Sequence, residues 1–276
     1  MHTILVVLYK RLVSDSETLT SLLLCENISK ARLVLWNNGT DGMENVSETD
    51  LLSLKSVFND VQYINTDVNE SLSKIYNQVG DNYLLELDDV LSIFDHDTVI
   101  SKSFVSNVES IDKEACLILP KIVSNKSSLI ISPRRQNKFY LFTKYLFSED
   151  FNKNDTGYFP SHHLFAVGSG LTITKKLWDD NLRFDNNTIF YGVDTEFCND
   201  YQNHNKNFYL LSDCLVHDVS SETGESKIIT NWRFNKYMDY WKYQLKKHAS
   251  LPSFVTNIYV ELYRATYNFY SAYIKK

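Results

Sequence analysis

Asp95 and Asp97 stand one residue apart at the exit of an apolar run, residues 90–94, with His96 between them. Two carboxylates in that relation can hold a hard divalent cation through oxygen ligands, and the same cation can bridge a diphosphate. The pattern alone is weak, since D-x-D spacing arises often by chance, and its bland rival is a solvated turn. Asp88 and Asp89 form a second acidic pair, but they precede the run and so sit away from the edge where ligands collect. His162 and His163 are adjacent and lack zinc spacing, and Cys25, Cys116, Cys198 and Cys214 form no C-x-x-C pair. Those thiols are expected to be reduced and mostly buried. Arg134 and Arg135 read equally as a phosphate grip and as part of a solvated loop.

A carboxylate pair at a strand exit needs a sheet to carry it. Residues 3–8, 32–36, 61–64 and 90–94 are short apolar or β-branched runs that predict strands. Between them, residues 16–26 open on a capping Ser16 and keep Leu19, Leu22 and Leu23 on one stripe, and residues 68–79 place Leu72, Ile75 and Tyr76 likewise. Strands alternating with crossover helices predict an α/β chain with a largely parallel sheet. Ligands in such sheets gather at the carboxyl ends of the strands. The residues there are Tyr9 and Lys10, then Asn37, Asn38, Gly39 and Thr40, then Asn65, then Asp95, His96, Asp97 and Thr98, all suited to a nucleotide.

Beyond residue 100 the pattern is mixed. Residues 115–119 and 128–131 predict strands, and residues 134–157 predict a partly mobile, aromatic-rich loop. Residues 165–173 form a strand-like run around Gly168, Ser169 and Gly170, where glycines admit another backbone or a ligand. A short helix over 192–203 and a strand over 208–211 lead to the polar exit at His217. Two long helical patterns follow, 227–248 and 253–273, hinged at Pro252. They carry Trp232, Trp241, Lys227, Arg233, Lys236, Lys242, Lys246, Lys247, Arg264, Lys275 and Lys276 against Asp239 and Glu261, a basic and aromatic tail. It suits packing on the core and also a lipid interface, so peripheral membrane contact is expected.

The bulk properties narrow the classes. A chain of 276 residues with 43% hydrophobic and 22% charged residues can bury a substantial core. Its net charge of -6 excludes a protein that coats nucleic acid, which needs a Lys/Arg surplus. The apolar start lacks a small-residue cleavage site, and no run reaches the roughly 18 apolar residues of a membrane span, so a cytoplasmic protein is expected.

The ordered segments VVLY, LVLWNNGT, NTDVNESLSKIYN, LSIFDHDT, LPKIV, AVGSGLTITKKLW, FYGVDTEFC and CLVHD, over roughly residues 3–220, resemble family 2 glycosyltransferases. The likeness is greatest to rhamnosyltransferase-like members that build bacterial surface polysaccharide such as O-antigen and capsule. The resemblance implies a GT-A, Rossmann-like nucleotide-diphospho-sugar transferase fold with a mixed, mostly parallel sheet. That domain would cover residues 1–225, with a helical appendage over 226–276.

By the same resemblance, Tyr9, Asn37, Asn38, Gly39, Asn65 and Asn69 contact the donor nucleoside, while Asp95, His96 and Asp97 face the diphosphate. Asp95, Asp97 and the late His217 surround Mn2+ or Mg2+. Gly168, Ser169 and Gly170 help form the acceptor pocket, and Asp194 is the catalytic base; Glu196, one helical step further, reads from its position as structural or as an acceptor contact. Implied partners are a UDP- or dTDP-sugar donor, a lipid-linked saccharide acceptor and the inner face of the cytoplasmic membrane. Relatives usually carry Asp where Asn37 stands, and an amide donates as well as accepts, so the base preference stays open. The chemistry is an inverting displacement, in which a cation offsets charge on the departing diphosphate and a carboxylate takes the acceptor proton. Two rival classes are a nucleotidyltransferase, which should show a Gly-rich basic loop where Lys10 and Arg11 stand, and a non-catalytic carbohydrate-binding protein indifferent to loss of the carboxylates.

Overall fold

The apolar run after Met1 is buried on both sides, and its side chains alternate between two cores. Leu5 and Val7 join one cluster with Trp36, Ile75 and Tyr76, while Ile4, Val6 and Leu8 join another with Leu19 and Leu22. A strand covered on both faces reads as continuous hydrophobic sequence, as a central parallel strand does. A computed structural model describes residues 1–40, 45–112, 117–148, 151–204, 207–217 and 227–273.

In chain order the first half runs β1 (His2–Tyr9), α1 (Glu17–Leu22), β2 (Arg32–Asn38), α2 (Glu48–Lys55), β3 (Asp60–Thr66), α3 (Leu72–Tyr83), β4 (Val90–Asp95) and β5 (Thr98–Val99). After α4 (Phe104–Ser110) come β6 (Leu117–Ser124), β7 (Ile130–Ser132), β8 (Arg134–Lys138), β9 (Tyr145–Ser148), β10 (Gly157–Pro160), β11 (Leu164–Phe165) and β12 (Thr172–Thr174). The chain continues through α5 (Lys175–Asp179), α6 (Val193–His204), β13 (Asn207–His217), α7 (Lys227–Lys247) and α8 (Ser253–Tyr273). Among the described residues the main sheet has the order β10-β13-β6-β12-β4-β1-β2-β3, with β5 on β13 and β7 on β6. Strands β4, β1, β2 and β3 are parallel, and β12 is antiparallel to both β4 and β6.

Register sets what meets at the sheet edge. Val7 pairs with Asp95 and Tyr9 with Asn38. On the far side β13 runs antiparallel to β5, which puts His217 opposite Thr98 and beside Asp97. Phe94, the last apolar residue before the acidic turn, is fully buried edge-on to Phe104 at 5.3 Å.

Three expectations change. Residues 134–157 do not form one loop: β8 pairs with β9 and β11 in a separate three-stranded sheet. The run 165–173 divides into β11 and β12 because Gly170 turns between them at φ 86°. A Cβ there would lie 2.6 Å from Pro120 Cγ, so the close approach that fixes this turn requires glycine. The strand expected over 208–211 continues to His217, and α2, α4 and α5 were not read in the sequence. Residues 115 and 116 of the strand expected at 115–119, with Cys116, and Lys275 and Lys276 of the tail lie outside the described residues. Among the described residues no helix is long and apolar enough to cross a membrane.

Helix α7 lies on the core. Trp241 is fully buried and donates from Nε1 to the Tyr140 carbonyl at 2.8 Å, and the Tyr237 hydroxyl donates to the Thr143 carbonyl at 2.5 Å. Helix α8 covers Trp241 and Leu245 with Val260, and Tyr259 reaches the Leu141 carbonyl at 2.8 Å.

Candidate active site

The acidic turn between β4 and β5 is braced on three sides. The Asp95 amide donates to Ser169 Oγ at 3.2 Å, and Ser169 Oγ also meets Thr98 Oγ1 at 2.7 Å. From α1, Thr18 Oγ1 donates to the Asp95 carbonyl at 2.6 Å and accepts from the Thr98 amide at 2.9 Å, while the capping Ser16 donates to the His96 carbonyl at 3.0 Å. A turn tied through its backbone leaves its side chains free to face the cleft. His217 Nδ1 lies 2.9 Å from Thr98 Oγ1 and 3.5 Å from Asp97 Oδ1.

Asp95, Asp97 and His217 bring ligand atoms within 4.8 Å of one another. Burial first, and the Asp97 carboxylate second, push Asp95 up to about 6 against the pull of His217. Asp97 Oδ1 is buried and has no hydrogen-bond partner. Two crowded carboxylates, one with a buried oxygen that accepts no hydrogen bond, beside an imidazole form a donor set that a hard divalent cation would satisfy.

Across the cleft, α6 opens with Asp194. Its Oδ1 accepts from the Thr195 amide at 2.7 Å and its Oδ2 from the Gly168 amide at 3.1 Å. Burial raises its pKa above the ordinary aspartate value despite those donors, which makes it a better base than an exposed aspartate. Tyr76, 3% exposed, lies within the electrostatic reach of both Asp95 and Asp194, whose charges add to burial in holding its hydroxyl protonated. A neutral phenol between two carboxylates can donate a hydrogen bond to a substrate oxygen.

A cleft of about 560 Å³ joins these groups, and Tyr9, Asn38, Asn69, Asp95, His96, Asp97, Gly168, Ser169, Asp194 and His217 all line it. Burial holds the His96 imidazole below its usual range. Asn38 is held by Nδ2 to Asn69 Oδ1 at 2.9 Å and to the Glu70 carbonyl at 3.0 Å. Asn37, Gly39, Asn65, Gly170 and Glu196 do not line the cleft. Asn37, itself buried, instead donates to the exposed Asn65 at Oδ1, 2.9 Å, and accepts from Asn45 at 3.2 Å. Arg134 donates to the Ile130 carbonyl and Arg135 to the His162 carbonyl, and neither lines the cleft.

Phe190, Tyr191, Trp232 and Arg233 complete the cleft and were not read from the sequence as site residues. Phe190 packs edge-on to Trp232 at 5.4 Å, so α7 builds one wall. The FYG preceding Asp194 was visible in the sequence; the approach of a helix forty residues later was not. Gly192 permits that approach, since a Cβ there would lie 2.0 Å from the Tyr240 ring, and its φ is 82°.

Glu196, expected as a structural residue or an acceptor contact, is a clamp for α7. It is fully buried and accepts from Tyr240 at 2.9 Å and Gln244 at 3.1 Å, with His248 Nε2 at 2.8 Å and Lys247 Nζ at 3.1 Å. Burial opposes its ionisation, but the His248 hydrogen bond and the His248 and Lys247 charges win and lower it from 4.5 to about 2. A carboxyl depressed on folding stabilises above its unfolded pKa, and that stability is lost as pH falls through the folded value. The shift corresponds to about 3 kcal/mol. Glu196→Gln is therefore expected to cost about 3 kcal/mol near neutral pH, with the gap from the native chain closing between about pH 5 and pH 2. Denaturant titrations across that range check this, and a pH-independent gap would contradict it.

The architecture is the GT-A fold. No protein-family model matches the chain, and no curated protein sequence matches it. Among solved structures, residues 1–349 of S. aureus TarS align at 12% identity and TM-score 0.55, over 94% of this chain and 69% of that one. GalNAc-T7 with UDP, GalNAc and Mn2+ aligns at 12% identity and TM-score 0.59, over 92% of this chain and 52% of that one, so this chain spans about half its length. The mannosyltransferase PcManGT from Pyrobaculum calidifontis, in complex with GDP-Man and Mn2+, aligns at 10% identity and TM-score 0.54, over 95% and 70%. At such identities the likeness establishes the fold alone.

Proposed function

We propose that this chain is an inverting glycosyltransferase that moves a sugar from a nucleotide-diphosphate donor to a hydroxyl of a saccharide acceptor. The observation that carries the reading is one cleft with Asp95, Asp97 and His217 on one side and, on the other, a half-buried Asp194 whose pKa is raised. Nucleotide-sugar complexes of GT-A neighbours, TarS with UDP-GlcNAc and PcManGT with GDP-Man, support a donor of that kind.

In this reading the donor lies along Tyr9, Asn38 and Asn69 with its diphosphate toward the acidic turn. Mn2+ or Mg2+ held by Asp95, Asp97 and His217 supplies charge neutralisation for the leaving diphosphate. Asp194 accepts the acceptor hydroxyl proton as that oxygen bonds to the anomeric carbon. The bond from that carbon to the phosphate oxygen breaks, its electron pair leaves with the nucleoside diphosphate, and one displacement inverts the centre. Gly168 and Ser169 with Phe190, Tyr191 and Trp232 form the acceptor side. The motif order supports a rhamnosyltransferase-like enzyme with a lipid-linked saccharide acceptor and a UDP- or dTDP-sugar donor, and the basic, aromatic tail supports a peripheral inner-membrane location. The division into a transferase unit over 1–225 and a helical tail belongs to the same proposal, with α7 completing the acceptor wall.

A thermal-shift screen of UDP-, dTDP- and GDP-sugars with and without manganese tests it. One donor is expected to raise Tm only with metal, by the equivalent of about 2.7 kcal/mol at a hundred times its Kd. No response to any donor would overturn the assignment.

A further inference from the structure

A second cavity, of about 460 Å³, opens beside β8 and the middle of α6, and the reaction proposed above makes no use of it. Its size falls within the about 300–1,000 Å³ of small-molecule sites. Its floor is a chain of amides whose orientation is settled by one backbone donor. The His163 amide donates to Gln202 Oε1 at 2.7 Å, so Gln202 presents Nε2 to Asn199, at 3.3 Å from Asn199 Oδ1. That oxygen also accepts from Gln136 Nε2 at 3.3 Å. Two amide atoms are left over, Asn199 Nδ2 as a donor and Gln136 Oε1 as an acceptor, both buried and without a hydrogen-bond partner. The residues are only 6% and 5% exposed.

Leaving such groups unsatisfied is costly, and native proteins rarely do so without a reason. An unmatched donor and an unmatched acceptor on two hydrogen-bonded residues of one cavity lining are together the complement of a hydroxyl, which both donates and accepts. Phe139, a residue 63% exposed and packed beside Phe142 at 5.6 Å, lines the cavity and offers a flat apolar surface for the C–H face of a pyranose. Among the described residues lining the cavity there is no carboxylate, and Lys138 is engaged by Gln244. The lining therefore favours a neutral polyol over a charged ligand.

We infer that this cavity is a second saccharide site, binding a neutral hexose unit through the Gln136 and Asn199 amides and the Phe139 ring. Asn199 and Gln202 lie five and eight residues beyond Asp194 on α6, about 7 and 12 Å along its axis. A sugar held there is a non-reacting unit of the acceptor chain, a statement that rests on the function proposed above; saccharide binding itself does not.

The test uses the full chain and a panel of neutral methyl hexosides and their disaccharides, titrated at millimolar concentration by ligand-observed NMR. Three variants accompany it. Asn137→Trp plugs the cavity from an exposed position on β8, the double variant Gln136→Met with Asn199→Leu removes the unmatched amides, and Asp97→Ala damages only the cleft. At least one saccharide is expected to bind the native chain and Asp97→Ala equally, and to bind both cavity variants at least tenfold more weakly. The double variant is expected to melt no lower than the native chain, since an apolar replacement relieves two unsatisfied groups. No binding by any member, unchanged binding in Asn137→Trp, or loss in Asp97→Ala would overturn the inference and leave a solvent-filled cavity. Donor response without panel binding sinks this inference alone; panel binding without donor response sinks the transferase reading alone.

Discussion

Asp97→Ala is expected to lower sugar transfer by roughly a thousandfold and to abolish metal-dependent stabilisation by the donor. The magnitude follows from what the residue supplies. Its Oδ1 is buried, accepts no hydrogen bond, and lies near ligand atoms of Asp95 and His217. Without it one carboxylate and one imidazole remain, a poor set for a hard cation, and the charge on the departing diphosphate goes uncompensated. Folding should respond in the opposite sense. Asp97 is part of what raises Asp95, so removing one of two crowded anions relieves repulsion, and Tm without metal should hold or rise. Transfer rates, donor-induced shifts with manganese and metal-free melting separate the two effects. Transfer at the native rate would remove the metal from the reaction, and a variant that fails to fold would contradict the stability half.

The second large effect is at Asp194. Asp194→Asn should reduce kcat by roughly a hundredfold to ten-thousandfold while leaving the donor-induced thermal shift intact. The amide can still accept one of the two backbone hydrogen bonds now made to Gly168 and Thr195, so the start of α6 should keep its shape. What it loses is the capacity to take a proton. In the native chain kcat should climb with pH through a value above the ordinary carboxylate range, because burial raises Asp194. In the variant that acidic limb should vanish. An unchanged pH profile with a reduced rate would assign Asp194 to positioning and leave the base elsewhere.

How far these groups could be read without coordinates depended on how local their signals are. Strands β1, β2 and β4 were legible within a residue or two because a central parallel strand must be apolar on both faces, which leaves a short uninterrupted run, while the edge strand β3 was legible from Val61, Tyr63 and Ile64. The sites at their ends followed, since topology alone sends ligands to the carboxyl edge. Helices α7 and α8 were legible by period and by the break at Pro252. Strands β8 and β9 were not, because a small edge sheet of RRQNK and YLFS has no apolar alternation to announce it. Nor was the role of Glu196: one helical step past Asp194, it could face the cleft or the core, and sequence spacing does not decide which.

The sequence by itself determined the parallel α/β core, the acidic turn at Asp95 and Asp97, and the motif order that points to Asp194 and His217, because each is written within a few neighbouring residues. Tertiary structure alone decided that His217 meets Asp97, that Tyr76 lies in reach of both Asp95 and Asp194, and that Trp232 and Arg233 wall the cleft. Those meetings depend on sheet register and on the docking of α7 over Gly192 and Glu196. Contacts between residues forty to a hundred and twenty positions apart are set by packing geometry, which leaves no periodic trace in the chain.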